Sequence, residues 1–299
     1  LDYFVIHTNQ HYSENMDKIF FEDLRLVFPK YNLNVGSGLH GEQTGKMLER
    51  IEPILIKEKP DVVLVEGDTN TVLAGALVAS KLLIKVGHVE AGLRSYDRAM
   101  PEEINRILTD HVSDYLFCPT DLEAKICVKE GIDKKKVSVT GNSIVDAVLQ
   151  NIKLVNEKGV FDKYNISSQN YIFVTMHRPS NVDNKEILKI QLNNISCLAE
   201  NKNLKVIFPI HPRTRKNISE FNLKLPQNIT LYDPINYLET LTLIKNAKIV
   251  LTDSGGIQEE ACILQVPCLT LRENTERPQT LTVGSNLLVG SDKQKLLES

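Results

Sequence analysis

The chain has 299 residues, 42% of them hydrophobic and 24% charged, with a formal net charge of −3. That length predicts two domains of ordinary size, and the composition excludes a disordered chain. A mildly negative chain without a basic stripe argues against nucleic acid or an anionic membrane as the main partner, and five irregularly spaced cysteines with no C-x-x-C pair argue against a zinc ribbon or a disulfide framework.

In chain order, the first apolar run is LDYFVIH, Leu1 to His7, which reads as a buried strand. It begins without an initiator Met or a preceding helix, and KQKLLES at the other end reads as a helix cut short. Both features predict that residues precede Leu1 and follow Ser299. Short runs rich in Val and Ile then recur at 61–67, 85–89, 115–119, 137–141, 171–176, 205–210, 229–233, 248–253 and 267–271. Amphipathic helical patterns separate them, for example GEQTGKMLERIEPILIKEK and TNTVLAGALVASKLL. Strands that are apolar throughout and joined by helices predict parallel sheets covered on both faces.

The alternation pauses between Asp146 and Gln169, where a helix followed by a linker is expected. The predicted architecture is α/β, with two Rossmann-like domains facing across a cleft: residues 1–148, lacking a first strand, and residues 149–299. No stretch approaches eighteen uninterrupted apolar residues and no signal peptide is visible, so no membrane span is expected and a reducing cytoplasm fits.

Ligands of such sheets sit beyond the carboxyl ends of the strands, so the residues that follow each strand matter most. The stretch HVEAGLRSYDRAMPEEINR, 88–106, packs three glutamates, three arginines and an aspartate into nineteen positions directly after an apolar strand. Glu90 has little structural reason to be charged in its small-residue turn. Pro101 at a first helical position accounts for acids in the following turn through the helix dipole, but less well for Glu102 if it converges with Asp68 and Glu90. Asp68, in EGDTNT, taken alone reads first as a helix cap. Arg94, Arg98 and Arg106 are available to neutralise these acids or to hold phosphate.

In the second half, KIVLTD-SGG-IQEEACILQ is a strand, a Ser254-Gly255-Gly256 turn and a helix start. It reads either as an anion site built from backbone N–H groups or as an ordinary turn capped by Ser254. Glu260, further into that helix, could accept from ribose hydroxyls. His177 and His211 each follow a strand and are candidates for the cleft. GSGLHG, 36–41, fits G-x-G-x-x-G, but FPKYNLNV is a poor preceding strand, so a plain glycine loop is expected and no nicotinamide is implied. A metal site at His7 and His11 is not favoured. No Cys or Ser nucleophile with a neighbouring base is evident. Proton abstraction, or departure of a phosphate leaving group, is the chemistry that remains.

The runs GDTNT, HVEAGLRS, MPEEINR, TGNSIVDA, PIHPRTR, LTDSGGIQEEA and LRENTERPQT, in order from about Ile6 to Gly290, resemble the non-hydrolysing UDP-N-acetylglucosamine 2-epimerases. The resemblance implies the glycosyltransferase-B arrangement of two Rossmann-like domains. It implies epimerisation of UDP-GlcNAc to UDP-ManNAc at sugar carbon 2, feeding cell-surface polysaccharide synthesis, by anti elimination of UDP and re-addition through a 2-acetamidoglucal. No metal and no nicotinamide are implied, and a homodimer is. Asp68, Glu90 and Glu102 become the acid/base carboxylates, supported by Arg106 and His177. Gln10, His177, His211, Ser254, Gly255, Gly256, Glu260 and Arg277 become the UDP-sugar contacts. The family's opening G-T-R-P-E loop has no counterpart here, and its T-G-Q-H motif carries Asn9 in place of Gly. Related expectations are a hydrolysing 2-epimerase, a 2-epimerase of a UDP-diacetamido uronate, and a glycosyltransferase on the same fold.

Overall fold

The structure, a computed structural model, describes residues 1–9, 21 and 24–299. The chain divides into two compact units, Leu1–Ser143 and Ile144–Ser299. Every strand pairing among the described residues is parallel.

In the first unit β1 (Ile6–His7) pairs with β2 (Tyr31–Asn32). A separate sheet runs in sequential order through β3 (Val62–Glu66), β4 (Lys85–Val89), β5 (Tyr115–Cys118) and β6 (Val137–Val139). Parallel strands in sequential order bring every strand-to-helix turn to one edge, and Asp68 and Glu90 lie in two neighbouring turns. Val63 and Val65 pack with Met47, Ile51 and Leu55 of the helix His40–Glu58, and with Ala74, Val78 and Ala79 of the helix Asn70–Lys81. The alternate residues face the other way. Val62 and Leu64 are 41% and 64% exposed, so the expected cover on both faces is absent from this sheet among the described residues. They line an apolar depression of about 400 Å³ with Asp61, Lys85, Tyr115 and Phe117.

The second unit meets the expectation of double cover. Its sheet runs β12-β11-β10-β7-β8-β9, built from β7 (Tyr171–Thr175), β8 (Lys205–Pro209), β9 (Ile229–Tyr232), β10 (Ile249–Thr252), β11 (Cys268–Thr270) and β12 (Asn286–Leu288). Ile172, Val174, Val206, Phe208 and Leu251 pack with Leu188, Leu192 and Ile195 of the helix Lys185–Lys202. Tyr171, Phe173, Ile207 and Val250 pack on the opposite face with Val160, Leu243, Ile244 and Ala261. With about 25 cal/mol per Å² of apolar surface removed from water, these two layers are the main source of the unit's stability. Asn184 and Asn236 cap the helices Lys185–Lys202 and Tyr237–Lys245 by accepting first-turn N–H groups.

Three local expectations need correction. The first strand is shorter than predicted, since only Ile6 and His7 of the first run are strand, with the Val5 carbonyl accepting from Lys30 N and Tyr31 N at 3.0 and 3.3 Å. The segment dismissed as a poor strand does pair: Leu33, Val35 and Gly36 donate N–H groups to the carbonyls of His7, Thr8 and Asn9 at 2.8, 3.0 and 2.9 Å. The expected linker holds a second helix, Glu157–Tyr164, because Val160 and Tyr164 recur at helical spacing and bury against the second sheet.

Candidate active site

The helix Pro101–Val112 carries an inverted pattern. Glu103, Asn105, Arg106, Thr109 and Asp110 are its buried residues, whereas Leu108 is 44% exposed. A stripe of acids and a base facing inward is costly unless every group is paired. Its partners are the strand-end turns of the sheet. Arg106 donates from Nη2 and Nε to Asp68 Oδ2 at 2.6 and 3.1 Å, and from Nη1 to Glu103 Oε2 at 2.8 Å. Asn105 donates to the Asp68 carbonyl at 2.9 Å, so the same helix holds both the side chain and the backbone of this residue. Thr69, not Asp68, occupies the cap position of the helix Asn70–Lys81, and its side chain makes no capping hydrogen bond.

Glu103 accepts from Ser95 N, Ser95 Oγ and Tyr96 N at 2.9, 3.0 and 2.9 Å. Burial pushes its pKa up, but these donors and Arg106 outweigh burial and hold it below the usual glutamate range. Glu103 is thus a structural anion that braces Arg106 and the 95–96 turn. Glu102, the expected catalytic neighbour, is half-buried one position earlier. Glu90 takes a left-handed backbone at φ 66°, and its Oε2 lies 4.0 Å from where a Cβ on Gly67 would sit. Its carboxylate therefore reaches over the residue that precedes Asp68. A non-glycine residue held at positive φ is strained, and such strain collects at functional positions. Arg94 is not available to phosphate as expected. It is buried, with Nη2 2.7 Å from Asp110 Oδ2 and 2.6 Å from Glu130 Oε2.

Two residues of this unit escaped sequence reasoning. His88, fully buried in the middle of β4, contacts Asp110 Oδ1 through Nδ1 at 2.6 Å and the Gly67 carbonyl through Nε2 at 2.9 Å. Asp110 also accepts from Gly92 N at 3.1 Å. Burial pushes Asp110 up, but the His88 hydrogen bond and charge, with Arg94, bring it below its ordinary value. The available signal was a titratable side chain inside an apolar strand.

In the second unit Asp253, fully buried after β10, gathers the turn that follows β7. It accepts from His177 N at 3.1 and 3.0 Å, from Arg178 N at 2.8 Å and from Asn181 Nδ2 at 3.0 Å. His177 Nδ1 lies 3.3 Å from Asp253 Oδ1, and the His177 and His211 rings stand 5.3 Å apart. The two histidines are thus brought together. His211 also caps the helix Pro212–Glu220, accepting from Arg213 N at 3.1 Å.

Ser254 sits at the cap position of the helix Gly255–Ile263, but its side chain makes no capping hydrogen bond, so the plain capping reading fails. At Gly255 a Cβ would fall 2.4 Å from Glu276 Oε1. Glu276 is itself buried and held by Arg272 Nη2 at 2.8 Å. Glycine is therefore required there by close approach. Arg277 is buried with Nε 2.7 Å from Glu259 Oε2. Glu260 is buried with its Oε2 lacking any hydrogen-bond partner among the described residues. Burial pushes its carboxyl up to about 7, against a hydrogen bond from Tyr237. A buried acid with an unused oxygen in the helix that starts at the Ser-Gly-Gly turn suits a hydroxyl-bearing ligand. Gln10 and His11 lie outside the described residues.

The family model described as UDP-N-acetylglucosamine 2-epimerase matches residues 1–299. The UDP-N-acetylglucosamine 2-epimerase of Methanocaldococcus jannaschii is 60% identical over 100% of this chain and 84% of its own length. The UDP-2,3-diacetamido-2,3-dideoxy-D-glucuronate 2-epimerase of Pseudomonas aeruginosa is 43% identical over 99% of this chain and 82% of its own length. The crystal structure of the M. jannaschii enzyme in complex with UDP-GlcNAc and UDP superposes with a TM-score of 0.93, at 60% identity, over 100% of this chain and 84% of that one. By sequence and by fold, the chain belongs to the UDP-N-acetylglucosamine 2-epimerase family.

Proposed function

We propose that this chain interconverts UDP-GlcNAc and UDP-ManNAc. The observation that carries the reading is the polar stripe of Pro101–Val112, which holds both the side chain and the carbonyl of Asp68 just after β3, in a chain 60% identical to an epimerase. The carbon-2 proton passes to a carboxylate of the Asp68, Glu90 and Glu102 set, and the bond from carbon 1 to UDP breaks. The neutral product is a 2-acetamidoglucal. Return of a proton to the opposite face, with UDP re-adding at carbon 1, completes the inversion without net oxidation. His177, Ser254, the uncapped Gly255-Gly256 turn and Arg277 are assigned to the diphosphate. His211 and Gln10 are assigned to further substrate contacts, and Glu260 to the ribose. A cytoplasmic homodimer with no nucleic-acid or membrane partner belongs to the same reading. The net charge of −3 argues against an anionic nucleic-acid partner, and among the described residues no helix is long and apolar enough to cross a membrane.

The direct test is UDP-GlcNAc incubated with the protein in D₂O and followed at carbon 2 by NMR. Deuterium at carbon 2 with new UDP-ManNAc signals is expected. Binding without exchange would sink the epimerase reading, and accumulation of free ManNAc with UDP would replace it by the hydrolysing reaction. The UDP-diacetamido uronate, run in parallel, is expected to turn over more slowly.

Glu260 gives a second prediction. Only its ionised form offers two acceptors to ribose hydroxyls, and its pKa is about 7. UDP-GlcNAc, a diphosphate diester, does not itself titrate near that pH. Its affinity should rise with pH through 7, with binding roughly tenfold weaker at pH 6 than at pH 8. Calorimetry across that range checks this, and Glu260→Gln should flatten the profile.

A further inference from the structure

The first unit holds a buried couple that the proposed mechanism does not use. His88 is fully buried between two acceptors, the Asp110 carboxylate and the Gly67 carbonyl. Both partners are hydrogen-bond acceptors, and a clamp on both needs an N–H at each ring nitrogen. The same Asp110 accepts from Gly92 N and lies beside Arg94 Nη2. One carboxylate thus reaches Gly67 through the imidazole, and Gly92 directly. Gly67 immediately precedes Asp68, and Gly92 lies two residues beyond Glu90. Gly67 N in turn donates to Val89 O at 3.2 Å, closing the loop between the two turns.

The registration extends along the helix. Asp110 and Arg106 are four residues apart and share its buried face, as does Asn105. Arg106 and Asn105 fix Asp68 itself, while Asp110 with His88 fixes the peptide before it. A charged hydrogen bond in a fully buried place is strong and directional, and it tolerates little displacement. The arrangement is stiff at the point where Glu90 is held at positive φ.

We propose that His88, clamped between Asp110 and the Gly67 carbonyl, is a positioning residue that sets the relative placement of Asp68 and Glu90 for transfer of the carbon-2 proton. It touches no substrate and acts only through those carboxylates. The inference rests on the epimerase reading.

The test is a double-mutant cycle on the full chain, scored by turnover, KM and carbon-2 exchange. His88→Gln carries both amide protons on one nitrogen and cannot bridge the two acceptors. It is expected to lower kcat by about 10- to 100-fold, the scale of a misplacement near 1 Å, with KM for UDP-GlcNAc within about threefold of the starting protein. In an Asp68→Asn background the same change should cost less than about threefold, because the group it positions is already gone. A loss that multiplies in that background, a rise in KM that parallels the loss, or unchanged kcat overturns the proposal. The unsubstituted chain runs in the same assay. If it exchanges no deuterium, the epimerase reading fails, and the clamp is then judged by ¹⁵N NMR of the His88 ring. That measurement also serves if His88→Gln does not fold. Protons on both nitrogens are expected, and a bare nitrogen at either position overturns the clamp.

Discussion

Replacing Asp68 by Asn is expected to lower turnover by about 10²- to 10⁴-fold, the range that general acid–base catalysis supplies. UDP-GlcNAc should still bind. The substitution preserves shape and removes one negative charge from the partner of Arg106, which donates twice to Asp68 Oδ2. Arg106 is buried and keeps Glu103 Oε2 at 2.8 Å, so its charge stays compensated and the helix should hold its place. The Asp68 side chain is 30% exposed, so most of the cost should appear in chemistry rather than in folding. Glu90→Gln should fall in the same range, because it removes a proton acceptor while leaving the strained turn in place. Rates of carbon-2 exchange and of net epimerisation should fall together in both variants. Turnover within about tenfold of the starting protein would show that neither carboxylate handles the proton. A loss confined to KM would reassign them to binding.

Much of the architecture is legible in the sequence for one reason. A parallel strand buried on both faces must be apolar at every position, so β7, β8 and β10 stand out as unbroken runs. Strands that depart from that condition are harder to find. β2 is strand only at Tyr31 and Asn32, and its Asn and Pro neighbours give no apolar run. β12 spans three residues between a glycine turn and a second glycine.

The same logic divides the site. Asp68 and Glu90 can be read because an acid immediately after a buried strand has no packing reason to be there. His88 offers only the hint of a titratable side chain inside an apolar strand, and Asp110 none, because their meaning is a contact between β4 and a helix some twenty residues later. In sequence, Asp110 belongs to a helix whose charges look solvated. Only the fold reveals that those charges face inward and that Leu108 faces out. The Glu102-Glu103 pair carries the same ambiguity. Dipole arguments treat the two acids alike, and only the packing separates a structural anion at Glu103 from its half-buried neighbour.

Gly92→Ala is expected to damage stability severely. Gly92 sits at φ 84°, where any side chain is strained. A Cβ there would also lie 2.5 Å from the Glu123 carbonyl oxygen and 2.9 Å from Cys127 Sγ. The first of these atoms belongs to the backbone of the helix Asp121–Lys129 and cannot rotate away. The turn itself must therefore move, and it takes with it the Gly92 N–H that Asp110 accepts. Backbone strain, overpacking and a weakened buried carboxylate together should cost about 3–5 kcal/mol, a fall in Tm on the order of 10 °C. Gly131 provides the internal comparison, since its φ is 95° but nothing lies within 4 Å of an added Cβ. Gly131→Ala should cost only the backbone term, about 1 kcal/mol. Thermal melts of the two variants side by side separate strain from collision. Because Asp110 reaches Gly67 through His88, Gly92→Ala should also depress kcat below the operating temperature, where the protein is still folded. Equal melting losses in the two variants would mean that the helix at Glu123 yields. Full activity in a destabilised Gly92→Ala would mean that the Asp110 contact to Gly92 does not govern where Glu90 stands.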